Sequence, residues 1–169
     1  MEARSRRQPA VPQAFELMLR IRHPSLDPEE ISRVLRLTPD HSFQAGQPRA
    51  SLAPGMSGSV CHTETYWVAT LNPGSWTVEF FPDHPASHRA SESINAMAKT
   101  VLARALSLCG SRCLRPNAEF VKRIQTEGGE VRLLVEINTA VLDGFTLTPE
   151  IAREMSALEI PVDFDFSAD

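Results

Sequence analysis

Ser25-Leu26-Asp27-Pro28-Glu29-Glu30-Ile31-Ser32-Arg33-Val34-Leu35-Arg36-Leu37-Thr38-Pro39 carries a helix start, a helix face and a helix stop in one stretch. Asp27 can accept a hydrogen bond from a free N–H of the first turn. Pro28 suits the first helical position because its missing N–H has no partner there. Glu30 stands at capping-box spacing from Asp27, and Glu29 and Glu30 both favour the positive helix end. Ile31, Val34 and Leu35 share one apolar face. Thr38 precedes Pro39 and is pushed toward extended geometry, so the helix closes near Leu37. Asp27 therefore reads as a folding signal, not as a catalytic carboxylate. Thr148-Pro149-Glu150-Ile151 repeats the pattern near the other end of the chain, and cap chemistry alone accounts for the likeness.

Outward from that helix, Phe15, Leu17, Leu19 and Ile21 alternate with Glu16, Met18, Arg20 and Arg22, the period of a strand with one buried face. Residues 40–61 are broken by glycine and proline and read as a long loop. Tyr66 to Leu71 reads as a strand centred on Trp67. Asn72-Pro73-Gly74 then turns the chain into a returning strand over Trp76 to Phe81. Ser91 caps a long amphipathic helix through Ile94, Met97, Val101, Leu102, Ala105 and Leu108, ended by Gly110. Phe120 to Gln125 and Val131 to Thr139 read as a hairpin across Glu127-Gly128-Gly129-Glu130. After a turn at Asp143-Gly144 comes the Thr148-capped helix. Val162, Phe164 and Phe166 then alternate with Asp163 and Asp165 as a closing strand.

The expected fold is α+β, a mostly antiparallel sheet with helices packed on one face, in the order β-α-β-β-α-β-β-α-β. Residues 14–169 form a single domain in this reading, and residues 1–13, with Arg4, Arg6 and Arg7, a flexible basic lead-in. Several segments taken together resemble a family of small bacterial proteins known only as a domain of unknown function. They are Leu26 to Ile31 with Leu37-Thr38-Pro39, Gly46, Trp67, the long helix, Leu147-Thr148-Pro149-Glu150, and Ile160-Pro161-Val162-Asp163-Phe164-Asp165. The resemblance spans Phe15 to Phe166. It departs from the family in a long central loop and in the apolar Trp76 to Phe81 segment. It implies a compact α+β domain and brings no activity, cofactor or catalytic residue.

Composition narrows the function. Hydrophobic residues at 42% and charged residues at 22% are ordinary for a globular protein. A net charge of -4 lacks the basic footprint of a nucleic-acid binder. No apolar run approaches the ~20 residues of a membrane span. Three cysteines, an odd number, fit a reducing compartment and a cytoplasmic location.

Each candidate for chemistry has a plainer reading. Gly55-Met56-Ser57-Gly58-Ser59 has its second glycine one place too early for a nucleophile elbow, with no strand before it. Cys61, His62, Cys109 and Cys113 lack the tight paired spacing of structural zinc, and Cys109 continues an apolar helix face. His84 and His88 flank Pro85, with Asp83 beside them, in a segment that reads as loop. Asp163 and Asp165 share one strand face about 7 Å apart, as an acidic outer edge would. Tyr66, Trp67, Trp76, Phe80 and Phe81 concentrate the aromatic residues; Trp67 reads as core, and Trp76, beside a turn, as an interface anchor.

No catalytic, cofactor-binding or metal-ligating residue is assigned. The chain reads as a non-enzymatic protein-interaction domain, immunity- or antitoxin-like, contacting a protein partner or a second copy through Trp76, Asp163 and Asp165. The alternative is a small-ligand-binding or hydrolytic enzyme using the 40–62 and 82–90 loops, with His62, Asp83, His84 and His88 in a cleft.

Overall fold

Strand β1 (Phe15–His23) is paired along both edges, and the sheet is built outward from it. The computed structural model describes residues 15–49, 60–71, 99–100, 102–107, 109–139 and 145–167. Around β1 lie β2 (His41–Phe43), β3 (Thr65–Thr70), β4 (Glu130–Asn138) and β5 (Val162–Ser167), in the spatial order β2-β3-β1-β4-β5. The first three pairings are antiparallel and the last, β4 with β5, is parallel. The helices are α1 (Pro28–Leu35), α2 (102–107), α3 (Ala118–Thr126) and α4 (Pro149–Ala157). The fold is α+β with a mostly antiparallel sheet. None of the helices among the described residues is long and apolar enough to cross a membrane.

The helices among the described residues bury their apolar positions against one sheet face. Leu17, Leu19, Ile21, Leu133 and Ile137 from the sheet meet Ile31, Leu102, Leu106 and Ile124 from the helices in one fully buried cluster. Trp67 is a fully buried member of it. Its indole N–H donates to Ser32 Oγ at 3.0 Å, and that hydroxyl donates to the Pro28 carbonyl at 2.9 Å, so burying the ring strands no polar atom.

Both cap signals are realised. Asp27 accepts from the Glu29 N–H at 2.9 Å and Thr148 from the Ile151 N–H at 3.4 Å, each with proline in the first turn. Glu30 does not close the capping box: its carboxylate accepts from Arg123 Nη2 at 2.6 Å and ties α1 to α3.

Three local expectations are corrected. Phe120 to Gln125 is helix, not the first arm of a hairpin. Val121 and Ile124 are its buried positions, three apart, and Glu119, Lys122 and Arg123 occupy the exposed face. The Gly128-Gly129 pair then closes that helix. The Gly128 N–H donates to the Gln125 carbonyl at 3.2 Å and the Gly129 N–H to the Ile124 carbonyl at 2.8 Å, with Gly128 at φ 84, a Schellman motif. Gly110 does not end the long helix. It lies inside a π-helical turn, Cys109–Leu114, where the Glu154 side chain occupies the space of its missing Cβ. Residues 40–61 include strand β2, whose three residues are too few to show a period. The expected strand from Trp76 to Phe81, the Ser91 cap, the Asp143-Gly144 turn and the lead-in 1–13 lie outside the described residues.

The two glycines at the end of α3 differ in what they tolerate. A Cβ on Gly128 meets nothing nearer than Pro24 at 3.8 Å, so Gly128→Ala is expected to lose only the left-handed preference, about 1 kcal/mol. A Cβ on Gly129 would stand 2.6 Å from the His23 ring and 2.8 Å from the Ile124 carbonyl. Gly129→Ala is therefore expected to cost more, about 2–3 kcal/mol. Urea unfolding of both variants, with Asp27→Ala at about 0.5–2 kcal/mol as reference, checks the order.

Candidate functional site

The face of the sheet turned away from the helices is set by the alternation of β1. Its register places Arg20 opposite Arg132, Arg22 opposite Glu130, Met18 opposite Leu134, and Glu16 opposite Glu136. Strand β5 continues two of these rows, with Asp163 beside Leu134 and Asp165 beside Glu136. On the other side Val68 and Tyr66 flank Arg20 and Arg22. The face is thus divided, arginines at one end and carboxylates at the other.

The basic end is internally neutralised. Arg132 donates through Nη1 to both Asp163 oxygens, at 3.2 and 3.1 Å, and through Nε to Glu130 at 2.6 Å. Arg20 Nη2 lies 3.9 Å from Asp163, while its buried Nε has no hydrogen-bond partner. Arg22 hydrogen-bonds to Glu64 through both Nε and Nη2. The hydrogen bonds it donates to Glu130 and Asp163 raise the pKa of the Arg132 guanidinium above its ordinary value, and those donated to Glu64 do the same for Arg22. Asp163 is therefore a hub that holds β4 and β5 together.

At the acidic end, Glu16, Glu136 and Asp165 stand side by side on three adjacent strands. Glu16 accepts from the Thr70 hydroxyl at 3.2 Å. No cation among the described residues pairs with Glu136 or Asp165, and both are exposed. Like charges directly opposite each other repel. On the helix side of the same strand, Phe164 packs against Phe145 at 5.9 Å, and Phe166 is 56% exposed. Among the described residues β5 is an edge strand with no neighbour on its outer side, so an acidic row and an exposed aromatic ring meet at that backbone edge.

Other polar groups are engaged structurally. His23, at the end of β1, is buried, and its Nδ1 accepts from the Ser25 and Leu26 N–H groups at 3.1 and 2.8 Å. Those two donors place the ring proton on Nε2, 3.4 Å from Glu127 and too poorly aligned for a hydrogen bond. With its lone pair committed to the turn, His23 is not available as a general base. His62 stacks on Phe43 at 3.7 Å, and Phe43 on Tyr66 at 5.2 Å, a three-ring stack beside β2.

Cys109 is buried, and burial pushes its thiol well above the ordinary range; Cys113 is raised for the same reason, and Cys61 is exposed. No group of three or more His, Cys, Asp or Glu side chains among the described residues is placed to hold a metal ion. Trp76, Phe80, Phe81, Asp83, His84, His88 and the Gly55 to Ser59 segment lie outside the described residues.

Of the expected partner-facing pair, Asp163 is committed to the two arginines, whereas Asp165 pairs with no cation among the described residues. Arg20, Arg132 and Glu130, which decide that difference, escaped the sequence reading. The signal for them is the alternate-residue charge of Arg20-x-Arg22 and Glu130-x-Arg132, which becomes informative once the two strands are known to pair. The chain belongs to the family described as Domain of unknown function (DUF4279), whose model matches residues 13–169. No curated protein and no solved structure matches it.

Two measurements separate the engaged groups from the free ones. Asp165→Asn or Glu136→Gln relieves cross-strand repulsion and is expected to raise stability by about 0.2–1 kcal/mol, less in high salt. Asp163→Asn is expected to lower the melting temperature under the same conditions. Since the thiolate is the reactive form, a disulfide reagent at pH 8 is expected to modify Cys61 in the folded chain and Cys109 only after unfolding.

Proposed function

We propose that this chain is a non-enzymatic interaction domain of the bacterial cytoplasm that binds and blocks a protein partner, in the manner of an immunity or antitoxin protein. The observation that carries this reading is the contrast between the two ends of the polar sheet face. Arg20 and Arg132 are spent on Asp163 and Glu130, and Arg22 on Glu64, which holds the strands in register. Among the described residues of the β4–β5 side, Asp165, Glu136 and the exposed ring of Phe166 remain for a visitor, all on or beside an edge strand. Exposed aromatic and charged side chains on a rigid scaffold suit recognition, where little conformational freedom is lost on binding.

Supporting features are the acidic balance of the chain and the locked state of His23, the one buried histidine among the described residues. Co-purification from the native host with the product of a neighbouring gene, and suppression of that product's activity by the pure chain, is the expected result. A chain that stays monomeric and returns no specific partner would refute the proposal.

A further inference from the structure

Building on the interaction reading above, we propose that the outer edge of β5 accepts an extended segment of the partner as an added strand, one that alternates basic and apolar side chains. The backbone geometry comes first. Leu133 donates its N–H to the Pro161 carbonyl at 3.0 Å and Thr139 to the Ser167 carbonyl at 2.7 Å, bracketing the parallel ladder. In such a ladder alternate residues of one strand bond to the same neighbour. Asp163 and Asp165 therefore turn their peptide groups toward β4, and Val162, Phe164 and Phe166 turn theirs outward. An incoming strand meets three residues' worth of donors and acceptors that pair with nothing among the described residues.

The side chains define which strand fits. On the helix side the visitor passes Phe166, which is 56% exposed, and gains by presenting apolar groups. On the opposite side it passes Asp165, which extends the row of Glu16 and Glu136, and gains by presenting lysine or arginine. A second copy of the chain is a poor occupant. Pairing β5 with β5 keeps odd-numbered residues on one face, so Asp165 would stand opposite Asp163, Asp165, Pro161 or Ser167 of the other copy and never a cation. The opposing possibility is that Asp163 and Asp165 serve only to keep the edge from pairing with anything.

Three peptides of six residues, the length of β5, test this on the full chain: alternating Lys and Val, alternating Glu and Val, and the Lys/Val sequence with alternate peptide nitrogens methylated. The Lys/Val peptide is expected to slow amide hydrogen exchange at Phe164 and Phe166, with the Glu/Val and methylated peptides without effect. Asp165→Lys is expected to weaken Lys/Val binding about tenfold. Phe166→Ser is expected to weaken it without lowering the melting temperature, since the ring is exposed. Binding that ignores peptide charge or methylation, protection elsewhere in the sheet, or no binding by any peptide would overturn the proposal. A partner still blocked by the Asp165→Lys chain would remove this edge from the account and leave the interaction reading standing, whereas absence of any partner removes the latter.

Discussion

Pairing on both sides of β1 is the constraint from which the rest follows. A central strand cannot shift its register without breaking two ladders, and a one-residue slip would turn Leu17, Leu19 and Ile21 to the polar side. Its neighbours must match its alternation, so β3 brings Trp67 and Ala69 to the helix side, and β4 brings Val131, Leu133, Val135 and Ile137. Trp67 then fixes α1 through Ser32, and Arg123 fixes α3 to α1 through Glu30. Helix caps set where each helix begins, but it is the β1 pairing that decides what each helix packs against.

The same register organises charge. Because Arg20 and Arg132 fall directly opposite each other, they would repel if left alone. Asp163 lies one row away on β5 and within reach of both, so a single carboxylate relieves the pair. That arrangement depends on the parallel β4–β5 pairing, which α4 makes possible by carrying the chain back between the two strands. Half-exposed ion pairs of this kind add little stability one by one. Their effect here is to make one strand register electrically preferable to its neighbours. The acidic row is the remainder of that arrangement, with no arginine among the described residues at its end of the face.

Long periodic segments were legible from the residues alone. The alternation of β1 and β4, the two proline-led caps and the Val162 to Phe166 strand all carry their period locally. Phe120 to Gln125 misled because six residues allow either period, and Gly128-Gly129 suits a hairpin turn as well as a helix end. Burial of Val121 and Ile124 settles it, and burial is a tertiary property. Asp163 and Asp165 look alike in sequence; only the neighbouring strands make one a hub and leave the other without a cation among the described residues. His23 likewise gives no local sign that its ring closes the following turn.

The two edges of the sheet are managed differently, and the difference bears on function. Edge strands invite unwanted pairing, and proteins blunt them by shortness, charge or cover. At the far side β2 has three residues, and a Pro48–Cys61 bridge and the Phe43 ring stack follow directly. Shortness alone disposes of that edge. Beta5 has six residues, keeps a regular ladder to its end, and exposes Phe166 where a purely defensive edge would favour lysine. Two aspartates on one face repel copies of the same strand, and they do nothing against a strand of opposite charge. An edge whose aspartates repel its own copy while an aromatic ring lies exposed is what the proposed basic visitor requires.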